Sequence, residues 1–345
     1  MTQRVVILSS PGPHNTGSNP FVRDLIAGLP PDCEVRAFTW LRAYLSPVDV
    51  IHIHWPEYLV RSRFAALRLA RSFLLWLLPL WSRRRGVRVI RTVHNLDPHE
   101  DVTLVERQAL DALDRRAAAL VHLTPSRDGT TEDQTLTVIP HPHYGGSVDD
   151  DDLAGNAGTR QGLLFFGVVR PYKGIEELLT AFESTGRLTA PAAAGRPPTL
   201  TIVGQPWSAA YAEALEAAAP PDVTLDFRRL EDRELHRLIA RAGLVVLPYR
   251  RMYNSGAVML ALTCGTPVLV PDSVSMRVLR RETGEDWVRV YSGSLDGRTL
   301  RDAYDSAMST DRAPRPRLEG RDPRRISELY AALYRRHAAG GRVGR

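Results

Sequence analysis

Short apolar runs alternate with helical-length segments along nearly the whole chain. In the first half, runs dense in Val, Ile and Leu predict strands over 4–9, 34–39, 48–55, 87–94, 119–124 and 135–140, with helices at 19–28, 61–82 and 101–117. Residues 145–161 interrupt this rhythm with Gly145, Gly146 and four consecutive aspartates at 149–152, a poor core and a good linker. The alternation then restarts, with strands predicted at 162–169, 199–205, 223–228, 244–249 and 267–270 and helices at 174–184, 208–218, 231–242 and 256–264. Ile175, Leu178, Leu179 and Phe182 recur at helical spacing on the first of these helices. A basic amphipathic stretch at 322–336 closes the pattern.

Strands that are apolar throughout, with helices between them, belong to parallel sheets covered on both faces. This α/β pattern occurs twice. It predicts two doubly wound, Rossmann-like domains over 1–150 and 160–315, an interdomain cleft, and a final helix over 320–338. Ligands of such sheets lie beyond the carboxyl ends of the strands, so the loops there are where chemistry is sought.

Composition narrows the class. The two cysteines, Cys33 and Cys264, supply neither a disulfide framework nor metal-ligand spacing, which suits a reducing compartment. The opening apolar run at 5–8 is too brief for a signal peptide, and no uncharged apolar run is long enough to span a bilayer. A cytoplasmic protein is expected. Net charge is +6, modest for this length, and of the 45 Lys and Arg residues a single one, Lys173, is lysine.

That lysine lies in the sequence Phe165-Phe166-Gly167-Val168-Val169-Arg170-Pro171-Tyr172-Lys173-Gly174. An apolar strand there runs into a loop with two cations and then opens a helix. Cations so placed can bridge a diphosphate and neutralise charge growing on a departing phosphate. A second loop, Tyr249-Arg250-Arg251-Met252-Tyr253-Asn254-Ser255-Gly256-Ala257, also follows a buried strand and opens a helix. Asn254 or Ser255 can cap that helix, Gly256 lets a ligand approach the backbone, and free amides at a helix start favour phosphate. Each loop alone reads as solvated charge or an ordinary cap; the pair at equivalent sheet ends makes an anion site.

The first half supplies histidines. His52, His54, Trp55 and Glu57 end one strand; His94, Asn95 and Glu100 follow another. His52 and His54 share one strand face, but no carboxylate or cysteine cluster completes a ligand set. No metal and no organic cofactor are expected. His52 reads as a satisfied core histidine, while His54, Trp55 and Glu57 lie nearer the strand end and the cleft. His141 and His143 fall at the domain junction and serve either the cleft or the junction itself. The loop after the first strand, with Gly17 and Asn19, lacks Gly-x-Gly-x-x-Gly, which argues against a dinucleotide oxidoreductase. Gly17 and Asn19 are candidates for substrate contact, although Asn19 before Pro20 is also a good helix start.

The strand glycine followed by Pro-x-Lys-Gly, the later Val203-Gly204, and the turn Leu262-Thr263-Cys264-Gly265-Thr266-Pro267 resemble glycosyltransferases of the GT-B fold. The pattern is similar to glycosyltransferase family 4 and to divergent bacterial exopolysaccharide glycosyltransferases, including xanthan-type β-mannosyltransferase relatives. Thr92-Val93-His94-Asn95 and Val138-Ile139-Pro140-His141 extend it over nearly the whole chain. The resemblance implies a GDP- or UDP-sugar donor in the second domain, a glycan or lipid-linked acceptor in the first, and a C-terminal helix crossing back. It matches His94 to the histidine that contacts the transferred sugar, with Glu57 and Glu100 as acids on the acceptor side. An inverting reaction would need His94 or one of these acids as base; a retaining one would not.

The chain departs from family 4 at three places. The family's two glutamates, eight positions apart, align with Met252 and Leu260, and the arginine expected directly after the strand glycine is Val168. A hexosyltransferase of polysaccharide biosynthesis is the leading reading. A non-catalytic GT-B binding protein and a sugar-nucleotide epimerase or hydrolase are the alternatives. Scattered arginines without an aromatic platform argue against nucleic acid. Residues 61–85 set Arg61, Arg63, Arg68, Arg71 and three arginines at 83–85 beside an apolar block at 73–81 that contains Trp76 and ends on Trp81. This combination suits peripheral contact with an anionic membrane, at the inner face of the plasma membrane, or else a crossover helix packed on the sheet.

Overall fold

A computed structural model describes residues 4–12, 20–94, 102–127, 132–149, 160–185, 199–250 and 252–342. The chain divides into two units, Met1–Pro142 with Gly320–Arg345, and His143–Glu319. The predicted linker loses its first residues to the second unit, because Tyr144 and Val148 are buried in that unit's core.

In the first unit six parallel strands run β1 (Val5–Ser10), β2 (Cys33–Ala37), β3 (Val50–Ile53), β4 (Arg88–Val93), β5 (Ala119–His122) and β6 (Thr137–Val138). Their spatial order is β2-β1-β3-β4-β5-β6. Successive side chains point to opposite faces of a strand, so β1 sends Val5 and Ile7 into one core and Leu8 into the other. On the Leu8 side, the helices Ala65–Arg84 and Leu104–Arg116 bury Leu75, Leu78, Leu110 and Leu113. On the other side lie Pro20–Ala27 and the last helix, Pro323–Arg342. That last helix buries Ile326, Tyr330, Ala331, Tyr334 and Ala338, one stripe at helical spacing. It therefore completes the core of the first unit rather than extending the second.

The second unit repeats the plan with β7 (Gln161–Phe166), β8 (Leu200–Val203), β9 (Val223–Asp226), β10 (Ala242–Val246), β11 (Val268–Pro271) and β12 (Val288–Tyr291), ordered β12-β11-β10-β7-β8-β9. All are parallel, and β10 is buried at every residue. The order reverses between β7 and β10, the switch point at which doubly wound sheets open a crevice. Two parallel sheets clothed in helices are the expected fold.

Several predicted strands run past the observed ladders. Val169, Leu247 and Tyr249 are buried although they lie beyond the ends of β7 and β10, so apolar character continues into the loops and conceals the strand ends. The short helix Trp40–Leu45, the helices Val274–Thr283 and Gly297–Ser309, and strand β12 escape the periodicity reading. All three helices carry local start signals: the Thr39 hydroxyl accepts from Arg42 N, the Ser273 hydroxyl from Met276 N and Asp296 from Thr299 N.

Between the helices of the Leu8 side sits one strongly held carboxylate. Arg68 on Ala65–Arg84 donates through Nε and Nη2 to both oxygens of Glu106, at 2.8 and 2.7 Å. Glu106 also accepts from Thr103 N at 2.8 Å, closing a capping box at the start of Leu104–Arg116. Arg68 first, aided by Thr103, pulls the Glu106 carboxyl down to about 2 from the ordinary 4.5. A folded value below the unfolded one means the pair stabilises above the unfolded value and that this contribution disappears as pH falls through about 2. Arg68→Leu is expected to cost about 1–3 kcal/mol at neutral pH. Thermal denaturation of both proteins over a pH series should show the gap in Tm closing below pH 4.5; a gap independent of pH would contradict it.

Candidate active site

Beyond the switch point of the second sheet, the loops that follow β7 and β10 meet. The first turns at Gly167, whose φ of 113° favours glycine and whose missing Cβ would project into open space. It is then tied to the loop after β8: Val169 N donates to Gln205 O and Trp207 N to Val169 O, at 2.9 and 2.8 Å. Trp207 supports the next residue, the Arg170 guanidinium lying 4.4 Å from its ring centroid. A short turn, Pro171–Lys173, leads to Gly174 in the left-handed region at φ 69°. A Cβ there would stand 2.1 Å from the Pro248 carbonyl oxygen, so only glycine lets the two loops touch. Arg250 N donates to Tyr172 O at 3.0 Å and seals the contact.

This junction lays the Lys173 ammonium on the ring of buried Tyr249, Nζ 3.4 Å from its centroid. Burial, and then the charge of Arg170, push Lys173 down to about 7, while the electron-rich ring face favours its charged form. The Tyr249 hydroxyl is hydrogen-bonded to Ser255. Of the two candidate caps it is Ser255 that closes the helix Gly256–Thr263, accepting from Val258 N at 3.3 Å. Asn254 holds its Nδ2 buried with no partner among the described residues, as do Arg170 its Nε and Glu176 its Oε2. Glu176 Oε1 accepts from the Tyr211 hydroxyl at 2.8 Å. Gly256 and Ala257 lie half-buried on the first helical turn, and Arg250 is exposed beside them. Two cations, an open glycine backbone and the start of a helix suit an anionic ligand. At the positions matched to the family 4 glutamates, Met252 is buried and Leu260 packs on the core, so neither offers a polar group.

In the first unit the residues beyond β3 and β4 form an aromatic cluster. His54 Nδ1 lies 2.9 Å from His94 Nε2, and the Trp55 ring stacks on His94 with centroids 4.2 Å apart. Phe21, from the helix Pro20–Ala27, sets its edge against His54, His94 and His141. One turn deeper, His52 is satisfied at both nitrogens, by the Tyr334 hydroxyl at 2.7 Å and Thr92 Oγ1 at 2.8 Å. Thr92 in turn meets the Tyr330 hydroxyl at 2.9 Å. Burial drives His52 down to about 3 and His141 to about 4; burial, with His52 and His94 adding to it, holds His54 well below the ordinary value. These three rings are neutral at physiological pH. Among the described residues no group of three His, Cys, Asp or Glu could hold a metal ion.

The predicted residues thus fall into two sets. Gly167, Arg170, Lys173, Tyr249, Arg250, Asn254, Ser255, Gly256 and Ala257 gather at one switch point, and His54, Trp55 and His94 at the strand ends of the other sheet. Glu57 is buried at the start of a short helix, Glu57–Val60. His143 belongs to the second unit, where its Nδ1 accepts from Gly145 N at 2.9 Å. Gly17, Asn19, Asn95 and Glu100 lie outside the described residues. Sequence reading missed Trp207, Glu176, Phe21, Thr92, Tyr330 and Tyr334. The stripe that buries the two tyrosines was legible, but their partners stand 238 and 282 residues away.

Residues 160–294 match the family described as Glycosyl transferases group 1. Over 338 residues the chain is 35% identical to the GDP-mannose:glycolipid 4-beta-D-mannosyltransferase of Xanthomonas campestris pv. campestris, covering 96% of this chain and 92% of that one. Among solved structures it is similar to AviGT4, a glycosyltransferase involved in avilamycin A biosynthesis (TM-score 0.56, 20% identity, 98% of each chain). It is likewise similar to sucrose-phosphate synthase from Thermosynechococcus elongatus (TM-score 0.62, 15% identity, 97% of this chain and 99% of that one). A third is Anabaena HepE in complex with UDP (TM-score 0.59, 13% identity, 97% and 95%). The structures share the GT-B fold, and the mannosyltransferase matches along almost its entire length. The chain therefore belongs to the group 1 glycosyltransferases, and is a GT-B enzyme that moves a hexosyl unit from a nucleotide-diphosphate sugar to a saccharide acceptor.

Proposed function

We propose that this enzyme transfers mannose from GDP-mannose to a lipid-linked saccharide in polysaccharide biosynthesis. The observation that carries this reading is the 35% identity, spread over 96% of the chain, to an enzyme of that description. The chemistry of the second unit agrees with it. Arg170, Lys173 and the amides that open Gly256–Thr263 neutralise the diphosphate as it departs, and Gly167 lets it approach the backbone. The buried unpartnered atoms of Asn254 and Glu176 take polar groups of the donor. Passing an α-linked donor mannose into a β linkage inverts the anomeric carbon, so a base must accept the acceptor hydroxyl's proton. His94 contacts the transferred sugar, with Glu57 and Glu100 as the candidate carboxylates. Trp55, Asn95, Gly17, Asn19 and His143 border the acceptor.

A lipid-linked acceptor gives the apolar surface of the first unit a purpose. Helix Ala65–Arg84 exposes Phe73 at 60%, with Leu69, Trp76, Leu80 and Trp81 around it. The neighbouring helix Trp40–Leu45 adds Leu41 and Leu45 at 69% and 64%, tied in by a Trp81 Nε1 bond to Tyr44 O. Arg85 donates to the Tyr44 and Leu45 carbonyls beside this patch, and Arg83 and Arg84 end the helix Ala65–Arg84. No helix among the described residues is long and apolar enough to cross a membrane. On the proposed reading the patch lies on an anionic bilayer surface, apolar groups inserted and guanidinium groups at the phosphates.

Two experiments test these readings. In a thermal-shift panel of GDP, UDP, ADP and dTDP, GDP should give the largest stabilisation. Lys173→Ala should abolish it, and Trp207→Ala should weaken GDP about 2- to 30-fold through loss of the cation–π support. An undiminished GDP shift in Lys173→Ala would refute the phosphate site. In co-sedimentation with anionic liposomes, the folded triple variant Phe73→Ser, Leu80→Ser and Trp81→Ser should lose binding; unchanged binding would refute the membrane face.

A further inference from the structure

Val168, Tyr172 and Trp207 are the large apolar side chains that the described part of the second unit leaves exposed, and all three stand on the loops that follow β7 and β8. Trp207 is the most open of them, at 55%. Its backbone is nonetheless fixed on both sides. Before it, Gly204 has φ 141°, and a Cβ there would collide with Gly167 O, so only glycine brings the loop after β8 alongside the loop after β7. Val169 and Pro206 then form a parallel bridge. After it, the Ser208 hydroxyl accepts from Tyr211 N at 3.2 Å and caps the helix Ala209–Ala218.

One face of the indole is taken. The Arg170 guanidinium lies over it, and stacking of this kind covers the plane of a guanidinium while its N–H edge stays free for phosphate. Arg170 Nε is buried without a partner among the described residues. No second ring or cation among the described residues covers the opposite face of Trp207. The other aromatic rings at these strand ends are engaged: Tyr249 and Tyr253 are buried, Tyr172 faces Lys173 and Tyr249, and Phe227 packs on the core.

A nucleotide donor brings a flat base joined through ribose to its diphosphate. The ring centroid of Trp207 is 4.4 Å from the Arg170 guanidinium carbon, so a base in van der Waals contact with the open face, about 3.5 Å further on, would lie about 8 Å from that carbon. Ribose and α-phosphate span such a gap. We propose that the face of Trp207 turned away from Arg170 is the stacking platform for the base of the donor. Stacking accepts any base, because each has a π-face. Trp207 thus supplies affinity and leaves the choice of base to other groups. This rests on the reading that Arg170 and Lys173 hold the diphosphate, and extends it from the phosphates to the base.

Equilibrium titrations of the whole enzyme with ligands that have and lack a base provide the test. In the wild type, GDP should bind more tightly than pyrophosphate and should quench tryptophan fluorescence, which pyrophosphate leaves unaltered. Trp207→Ala should weaken both, since Arg170 loses its support, but GDP about fivefold more than pyrophosphate. Trp207→Phe keeps a ring: it should recover most of the GDP affinity and yet lose the quench, although the other tryptophans remain. Equal losses of GDP and pyrophosphate in Trp207→Ala would reduce the ring to a brace for Arg170 and overturn the proposal. A GDP quench that persists in Trp207→Phe, or wild-type binding of GDP no tighter than pyrophosphate, would overturn it too. Lys173→Ala reads the phosphate site separately and should weaken GDP and pyrophosphate alike. If it weakens neither, while Trp207→Ala still costs GDP more than pyrophosphate, the diphosphate assignment fails and the stacking stands. Should UDP rather than GDP bind the wild type, the GDP reading fails and the same comparison with UDP decides the stacking.

Discussion

Parallel pairing of β7 with β10 is the constraint on which the donor half of this enzyme depends. The strands run side by side at Leu163↔Leu244 and Leu164↔Val245, although 81 residues separate the paired positions. Both chains leave the sheet at the same end, and the sheet grows away from this pair in opposite directions. The two emerging loops therefore pack on each other. Gly174 makes that possible by leaving the Pro248 carbonyl unobstructed, and the position of Lys173 on Tyr249 follows. A cation confined against an aromatic face and beside a second cation is held near the point of losing its proton. An incoming phosphate would restore its charge.

The first unit solves a different problem, that of burying polar rings. His52, His54, Thr92, Tyr330 and Tyr334 are all almost wholly buried, and each would be costly if left unpaired. The last helix supplies the two hydroxyls that complete this network, which explains why the chain returns to the first sheet instead of ending on the second. A satisfied network of this kind fixes rings more firmly than apolar contact alone, because every displacement breaks a directional bond. The consequence is felt one turn above, where His54 and His94 meet.

Where family 4 enzymes carry two glutamates, this chain packs Met252 and Leu260. That segment offers instead a capped helix start, and the loop after β7 a lysine and an arginine braced by Trp207. Such a set neutralises an anion well and offers little directional contact to a sugar. Glu176, in the first turn of the helix that follows Gly174, keeps one buried carboxylate oxygen without a partner among the described residues.

Much of this was legible in the amino-acid order. Periodicity alone distinguished strands from helices and split the chain into two doubly wound halves, because burial on both faces of a parallel sheet leaves an unbroken apolar run. Arg170, Lys173 and the Asn254-Ser255-Gly256 start were recognisable too, since a loop that ends a strand and opens a helix is a local event within about ten residues. Strand ends were obscured where apolar loops such as that of Leu247 and Tyr249 stay buried. Hidden altogether were the partners: Trp207 for Arg170, Pro248 for Gly174, His54 for His94, Tyr330 and Tyr334 for a threonine and a histidine far earlier in the chain. Hydrophobic pattern is written in neighbouring residues, whereas a hydrogen bond or ring contact between distant ones exists only once the sheet order has brought their strand ends together.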